Sequence, residues 1–360
     1  MKYVRLILFS PISLIYWLFT HFRNKAYDRG ILHANEFSTK VICVGNLSMG
    51  GTGKTPMVEY LTELLLKNQI SVAILSRGYK RKTSGYIMAS ASTTSKEIGD
   101  EPYQLKRKFE KALVAVCENR VTGIKKLIES GNKPDVIILD DAFQHRSVSA
   151  GLNILLTDYH KPYFKDWILP SGNLRESASN MKRADIFVVT KSPVDISEYS
   201  KKEFQEKINP AKSQTLYFAH IEYEKLKPFL TSIGIDFNDS NSPEYSVLLF
   251  TGISNPDPLI NYLKPKFKEL FSIKFADHYN YALKDFDKIN QQFRDISNSK
   301  KILITTEKDI ARIEKTETAE HFKKIPLYCV PIKISFNKQE DIFTFDNKIL
   351  NYVGEDSRNL

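Results

Sequence analysis

Cysteine is scarce: Cys43, Cys117 and Cys329 are the only three in 360 residues. They are far apart and each sits in an apolar run, which excludes a disulfide framework or a zinc set and leaves three small buried hydrophobes in a reducing compartment. No repeat of fixed period is present, so a repeat architecture is not expected. Acid is in deficit, with a formal net charge of +10. That sign suits nucleic acid, anionic lipid or a phosphorylated substrate, and alone it does not choose among them. At 42% hydrophobic residues the chain can bury one large or two moderate cores, and its length favours two.

What the chain does have, directly after the apolar run 41–44, is the stretch GNLSMGGTGKTP at 45–56. A strand leading into a glycine-rich turn that ends in Lys-Thr is a phosphate cradle: backbone N–H groups point inward, Lys54 brings a point charge and the Thr55 hydroxyl can hold Mg²⁺. Residues 48–55 (Ser48, Met49, Gly50, Gly51, Thr52, Gly53, Lys54, Thr55) are therefore the candidate nucleotide-binding loop. Ser48 stands where the strict template has glycine. A helical pattern follows at 57–66, so strand, loop and helix occur in the required order. Two further absences narrow the class. Met49 occupies the position of the dimer-bridging lysine of partitioning-type switch ATPases, and Thr190-Lys191-Ser192-Pro193 lacks the acid of a guanine-specific pocket. The loop is expected to take ATP.

A phosphate loop needs an acid at the end of another buried strand, and DVIILDD at 135–141 supplies two. Asp140 is the expected partner of Thr55 on Mg²⁺, while Asp141 could orient water, a base or a second metal. Gln144 and His145 follow and are placed at the same sheet edge, where ligands of α/β folds bind. Three further polar clusters stand out: LSRGY at 75–79, GDEP at 99–102 and LPSGNLRE at 169–176. Phosphoryl transfer needs cations on the developing charge, a task for Arg175 or Arg77, and a group that positions the nucleophile, a task for Asp100. Each also has an ordinary reading as a surface ion pair or helix cap, as does Asp277-His278.

Residues 6–22 contain no Asp, Glu, Lys or Arg and are flanked by basic residues. As a helix this run reaches about 26 Å against a hydrocarbon core of ~30 Å, and Pro11 interrupts it. Lys2, Arg5, Ser13, Tyr16, Thr20 and Arg23 fall in one sector, with Ile7, Leu8, Ile12, Leu14, Ile15, Leu18, Phe19 and Phe22 opposite. This pattern predicts a helix anchored in a membrane interface, with packing on the protein body as the alternative. No small-residue cleavage site follows, against a secretory signal.

Apolar runs alternate with helical patterns through the first half, which predicts an α/β fold of the P-loop type: a mostly parallel sheet with helices on both faces. Beyond Lys191 the chain turns polar and lysine-rich before a second set of runs begins at 246. The expected division is a membrane-associated helix at 1–28, a P-loop domain at 29–212 and a smaller α/β domain at 213–360.

Taken together, the loop, the Asp pair, the N-terminal helix, Leu75-Ser-Arg-Gly-Tyr79, Gly99-Asp-Glu-Pro102, Gln144-His145, Arg175-Glu176, Asp277-His278 and Thr305-Thr-Glu-Lys-Asp309 make the chain resemble the tetraacyldisaccharide 4'-kinase family over most of its length. The resemblance implies transfer of the ATP γ-phosphate, with Mg²⁺, to the 4'-hydroxyl of an acylated glucosamine disaccharide 1-phosphate. It implies that Asp100, assisted by His278, deprotonates that hydroxyl, and places Arg77, Tyr79, Gln144, His145 and Glu176 on the acceptor side. It implies work at the cytoplasmic face of the inner membrane of a Gram-negative bacterium, on a lipid substrate, with neither nucleic acid nor an obligate protein partner. The rival is a membrane-tethered P-loop ATPase acting as a switch. Departures at Lys80, Ala142, Ser171, Asn173 and Ser177 remove no charged catalytic group and bear on acyl or sugar preference.

Overall fold

The computed structural model describes residues 2–229, 237, 238 and 240–354. The strands run β1 (Lys40–Asn46), β2 (Val72–Ser76), β3 (Ile87–Met88), β4 (Leu113–Val116), β5 (Val136–Asp140), β6 (Leu152–Asp158), β7 (Ile186–Thr190), β8 (Thr215–Tyr223), β9 (Lys227–Pro228), β10 (Ser246–Thr251), β11 (Glu269–Lys274), β12 (Lys301–Thr306), β13 (Leu327–Val330) and β14 (Ile332–Phe336). The helices are α1 (Lys2–Asp28), α2 (Lys54–Lys67), α3 (Ser95–Ile98), α4 (Asp100–Lys108), α5 (Arg120–Glu129), α6 (Glu198–Ile208), α7 (Asp257–Leu263), α8 (Leu283–Asp295), α9 (Glu307–Ile313), α10 (Glu317–Phe322) and α11 (Gln339–Gly354).

Nine strands form one sheet in the order β14-β8-β7-β6-β1-β5-β2-β4-β3, antiparallel only at its two edges. Its central strands read as unbroken apolar runs because both faces are covered. Along β1, Val41 and Cys43 enter the core on one face with Leu139, Leu155 and Val189, while Ile42 and Val44 enter the other with Ile138, Ile154 and Val188. Five strands form a second sheet, β11-β10-β12-β13-β9, with its own apolar layers. The three cysteines are free and buried.

Sheet membership departs from a division at 212/213. β8 and β14 pair with each other and close the edge of the first sheet, and α11 buries Phe345 and Ile349 in the first core. The chain leaves the nine-stranded sheet, builds the second unit and returns. The Ser/Thr-rich segment 82–99 includes the short strand β3 on β4 and the turn of helix α3.

α1 is longer than residues 6–22 and continues through Pro11. Proline cannot donate to the Ile7 carbonyl, and the Ser10 hydroxyl donates to it instead at 3.0 Å. Ser13, Thr20 and Asn24 of the polar side are buried against the protein. Arg5 Nε donates to Pro170 O (2.9 Å), Ser13 Oγ to Ser171 Oγ (2.7 Å), Tyr16 OH to Arg175 O (2.7 Å) and Asn24 Nδ2 to Glu176 Oε2 (2.9 Å). The opposite sector is bare, with Ile7, Ile15, Phe19 and Phe22 each 64–76% exposed. Among the described residues, 5–28 form the one helix long and apolar enough to cross a membrane.

Candidate active site

β1 delivers the chain to the loop, and α2 leaves it at Lys54. Gly53 caps the helix at φ 83°, a left-handed conformation that a side chain would strain. Gly45 leaves no room for a side chain, since a Cβ there would stand 2.6 Å from that of Phe143. Ser48 tolerates the loss of the template glycine because it has no positive φ and instead bridges to Leu174 in short antiparallel pairing. Met49 N donates to Asn173 O and Arg175 N to Leu47 O, each at 2.8 Å, so segment 169–176 is stitched to the loop. Thr52 is fixed by Asn46 Nδ2 on its hydroxyl (2.7 Å) and by the Thr190 hydroxyl on its carbonyl (2.9 Å). Lys191, which counted in the sequence only for the acid missing after it, donates to Gly51 O and to Asp158 Oδ2 (2.7 Å). The result is a loop tethered on both sides, with the positive end of α2 at its mouth.

Parallel pairing sets Asp140 level with Val44, next to the loop. Asp140 is 2% exposed; its Oδ2 accepts from Ser76 Oγ at 3.1 Å, and its Oδ1 has no hydrogen-bond partner among the described residues. Burial first, then the neighbouring charges of Glu101 and Asp141, push its pKa up to about 7. Asp141, at φ 51°, has Arg175 Nη1 at 2.8 Å and Lys54 Nζ at 3.7 Å on the same oxygen. Arg120 is buried beneath the pair, donating to Cys117 O (2.6 Å) and Asp140 O (3.2 Å).

On the facing side α4 presents Asp100 and Glu101 at its first turn. Asp100 Oδ2 accepts from Arg312 Nε at 2.8 Å and lies 3.1 Å from His278 Nδ1. Burial opposes the charged form of Asp100, but the His278 hydrogen bond and the Arg312 charge outweigh it and hold the pKa below its ordinary 3.8. Glu101 Oε1 accepts from Lys308 Nζ at 2.6 Å. Against burial, the Lys308 charge, then Lys54 and the Thr55 hydroxyl, bring Glu101 down to about 2. Between Glu101 and Asp140, which repel each other, the neutral form is favoured at Asp140.

These residues suit a divalent cation: a buried carboxylate oxygen without a partner, a threonine hydroxyl and a second carboxylate are hard oxygen donors. Among the described residues no three His, Cys, Asp or Glu are grouped to hold a metal by themselves. Phosphate oxygens would have to complete the shell.

Two clusters thus form where the sequence suggested one: Lys54, Thr55, Asp140, Asp141 and Arg175 around the loop, and Asp100, His278 and Tyr79 opposite. Tyr79 is exposed and sets its ring edge-on to His278, centroids 5.5 Å apart. Arg77 is exposed at the end of β2. His145 is half-buried; burial first, then Arg120 and Arg77, lower its pKa to about 4, so it is neutral at pH 7. Glu176 departs from the acceptor-side expectation. It is completely buried, and its carboxylate is occupied by Asn24, Asn180, Gln144 and Arg183. Gln144 spends its amide on Glu176 and Asn46 O, so both serve the seat of α1. Sequence reasoning passed over Arg312 and gave no role to Glu101 and Lys308, although both lie in quoted strings. For Arg312 the hint was its spacing of four from Lys308, one face of a helix.

A parallel sheet, a glycine-rich loop opening onto a helix and buried acid on the adjacent strand define a P-loop nucleotide-binding protein, and the carboxylates facing the loop define it as one built for phosphoryl transfer. The sequence matches the family model described as tetraacyldisaccharide-1-P 4'-kinase over residues 5–350. It is 41% identical over 359 residues to a tetraacyldisaccharide 4'-kinase of Bacteroides thetaiotaomicron, covering 97% of this chain and 93% of that one. With the enzyme of that name from Flavobacterium johnsoniae it shares 42% identity over 358 residues, 99% of each. A crystal structure of the "apo" form of LpxK from Aquifex aeolicus in complex with ATP superposes with a TM-score of 0.73, at 30% identity, covering 96% of this chain and 99% of that one. The chain belongs to the tetraacyldisaccharide-1-P 4'-kinase family.

Proposed function

We propose that this chain is a kinase that transfers the γ-phosphate of ATP to the 4'-hydroxyl of a tetraacylated glucosamine disaccharide 1-phosphate, a step of lipid A biosynthesis. One observation carries the reading: Asp100, whose Oδ2 accepts from Arg312 Nε at 2.8 Å and lies 3.1 Å from His278 Nδ1, stands at the start of α4 beside Glu101, which Lys308 holds and on which Lys54 and Thr55 of the phosphate loop also act. The switch-ATPase alternative is not favoured, since the relatives are named 4'-kinases.

In this reading the backbone of 48–53 cradles the phosphates, and Lys54 and Arg175 face the charge that grows on the transferred group. Thr55 and Asp140 would hold Mg²⁺, with Asp141 and Glu101 beside them, and the ion when bound would supply positive charge against that of the phosphates. Asp100 accepts the hydroxyl proton through Oδ1 as the sugar oxygen attacks the γ-phosphorus. The bond from that phosphorus to the bridging oxygen breaks, and ADP leaves with the electron pair. Arg77, Tyr79 and His145 remain on the open side, where a sugar phosphate can approach.

The acceptor carries acyl chains, and α1 offers them a bare apolar face with basic residues at both ends. We place the enzyme at the cytoplasmic face of the inner membrane, where ATP and lipid meet, without nucleic acid and without an obligate protein partner. Phe19→Asp is expected to leave denaturant stability within about 0.5 kcal/mol of the parent, as surface changes do, yet to release the protein from anionic vesicles in flotation assays. A chain starting near Arg29 should also fail to bind them; equal binding by either would remove α1 from this role.

A further inference from the structure

Arg312 lies on the last turn of α9, in the unit built on the second sheet, yet it reaches the first. Its side chain is 1% exposed. Nη1 donates to Gly252 O at 2.7 Å and to Asp309 Oδ1 at 2.9 Å, and Nε donates to Asp100 Oδ2 at 2.8 Å. Asp309 is also fully buried and is itself held, by Gly252 N (3.0 Å), Tyr281 OH (2.9 Å) and the Thr306 hydroxyl (2.7 Å). Gly252 admits this cluster because a Cβ there would crowd Asp309 Oδ1 at 3.1 Å and Arg312 Nη1 at 3.2 Å. The guanidinium is thus immobilised by its own unit before it meets Asp100.

A buried ion pair is a poor way to gain stability, since desolvation offsets most of the attraction. This one has a directional result instead. Arg312 Nε and His278 Nδ1 converge on the same oxygen, Oδ2, and among the described residues Oδ1 takes no hydrogen bond. One turn earlier on the same face of α9, Lys308 grips Glu101. Two cations of one unit therefore hold two successive acids at the start of α4.

We propose that Arg312 is a positioning residue for phosphoryl transfer: by occupying Oδ2 and fixing the plane of the carboxylate, it leaves Oδ1 as the one proton acceptor aimed at the acceptor hydroxyl. The inference rests on the reading of Asp100 as the base. The planar fork spans Asp309 and Asp100 at once, which a lysine ammonium cannot do.

The test compares Arg312→Ala, Arg312→Lys and Asp100→Ala in the full chain, measuring kcat, KM for ATP, ATP binding, melting temperature, and recovery by added guanidinium ion. A misaimed base costs ~10²-fold, so kcat should fall about that far in both Arg312 variants with KM for ATP unchanged. Guanidinium should restore part of the kcat of Arg312→Ala and none of that of Asp100→Ala. Parental kcat in Arg312→Ala, or loss without recovery in a variant that still binds ATP and melts normally, would overturn the role. If Arg312→Ala does not fold, Arg312→Lys decides: parental kcat overturns the proposal, and reduced kcat with intact ATP binding supports it. Parental turnover in Asp100→Ala would instead bring down the base itself.

Discussion

Asp100→Asn is expected to lower turnover by ~10²–10⁴-fold, the usual worth of a positioned proton acceptor, while ATP binding persists. Asparagine is a cleaner probe than alanine. Its carbonyl oxygen can still accept from Arg312 Nε, whereas alanine would leave that one buried donor without its acceptor at a cost of about 1–3 kcal/mol. The sign of the pH dependence follows from the depressed pKa. A carboxyl held below its ordinary 3.8 contributes stability that is present above that value and lost as pH falls through the folded value. Asp100→Asn should therefore be less stable than the parent at neutral pH and converge with it in acid. Chemical denaturation across pH, set beside kcat, separates the two effects; unchanged kcat would remove Asp100 from proton transfer.

Asp140→Asn is expected to act in opposite directions on catalysis and stability. Turnover should fall by ~10²–10³-fold, as when one group stabilising transition-state charge is removed, because Mg²⁺ loses its buried carboxylate. The metal-free protein should become more stable above about pH 7. Asp140 has a raised pKa, so its stabilising balance is complete below the ordinary 3.8 and is lost as pH rises to about 7, where the buried group ionises. The amide never pays that penalty. For the same reason Mg²⁺ must displace a proton below about pH 7 in the parent, and affinity should drop there. Calorimetry in buffers of different ionisation enthalpy should show proton uptake by buffer for the parent and none for Asp140→Asn. Parental Mg²⁺ affinity in the variant would contradict the assignment.

The phosphate loop was readable at once because its chemistry is local: glycines, lysine and threonine act within a dozen residues. The central strands were readable for a different reason, since burial on both faces forces continuous apolar runs such as 136–139. Asp140 followed from needing a second acid at a strand end. Partnerships across long separations were not readable. Arg312 and Asp100 are 212 residues apart, and neither residue's neighbours announce the other. The amphipathic pattern of α1 was visible, but only packing reveals that Ser13, Tyr16 and Asn24 turn inward to segment 168–176 and that the apolar side is the free one. Glu176 sits beside Arg175 in sequence, yet their side chains part, because one faces Asp141 and the other the buried dock of α1. β8 and β14 rejoin the first sheet through pairing of edge strands over a hundred residues apart, which alternation alone does not disclose.

The most direct measurement incubates the purified full-length protein and its Asp100→Asn variant with Mg²⁺, γ-labelled ATP and an acylated glucosamine disaccharide 1-phosphate. Label should appear on the lipid, at the 4'-position by mass and fragmentation, and fall with the variant. Label found only in free phosphate would contradict the kinase reading.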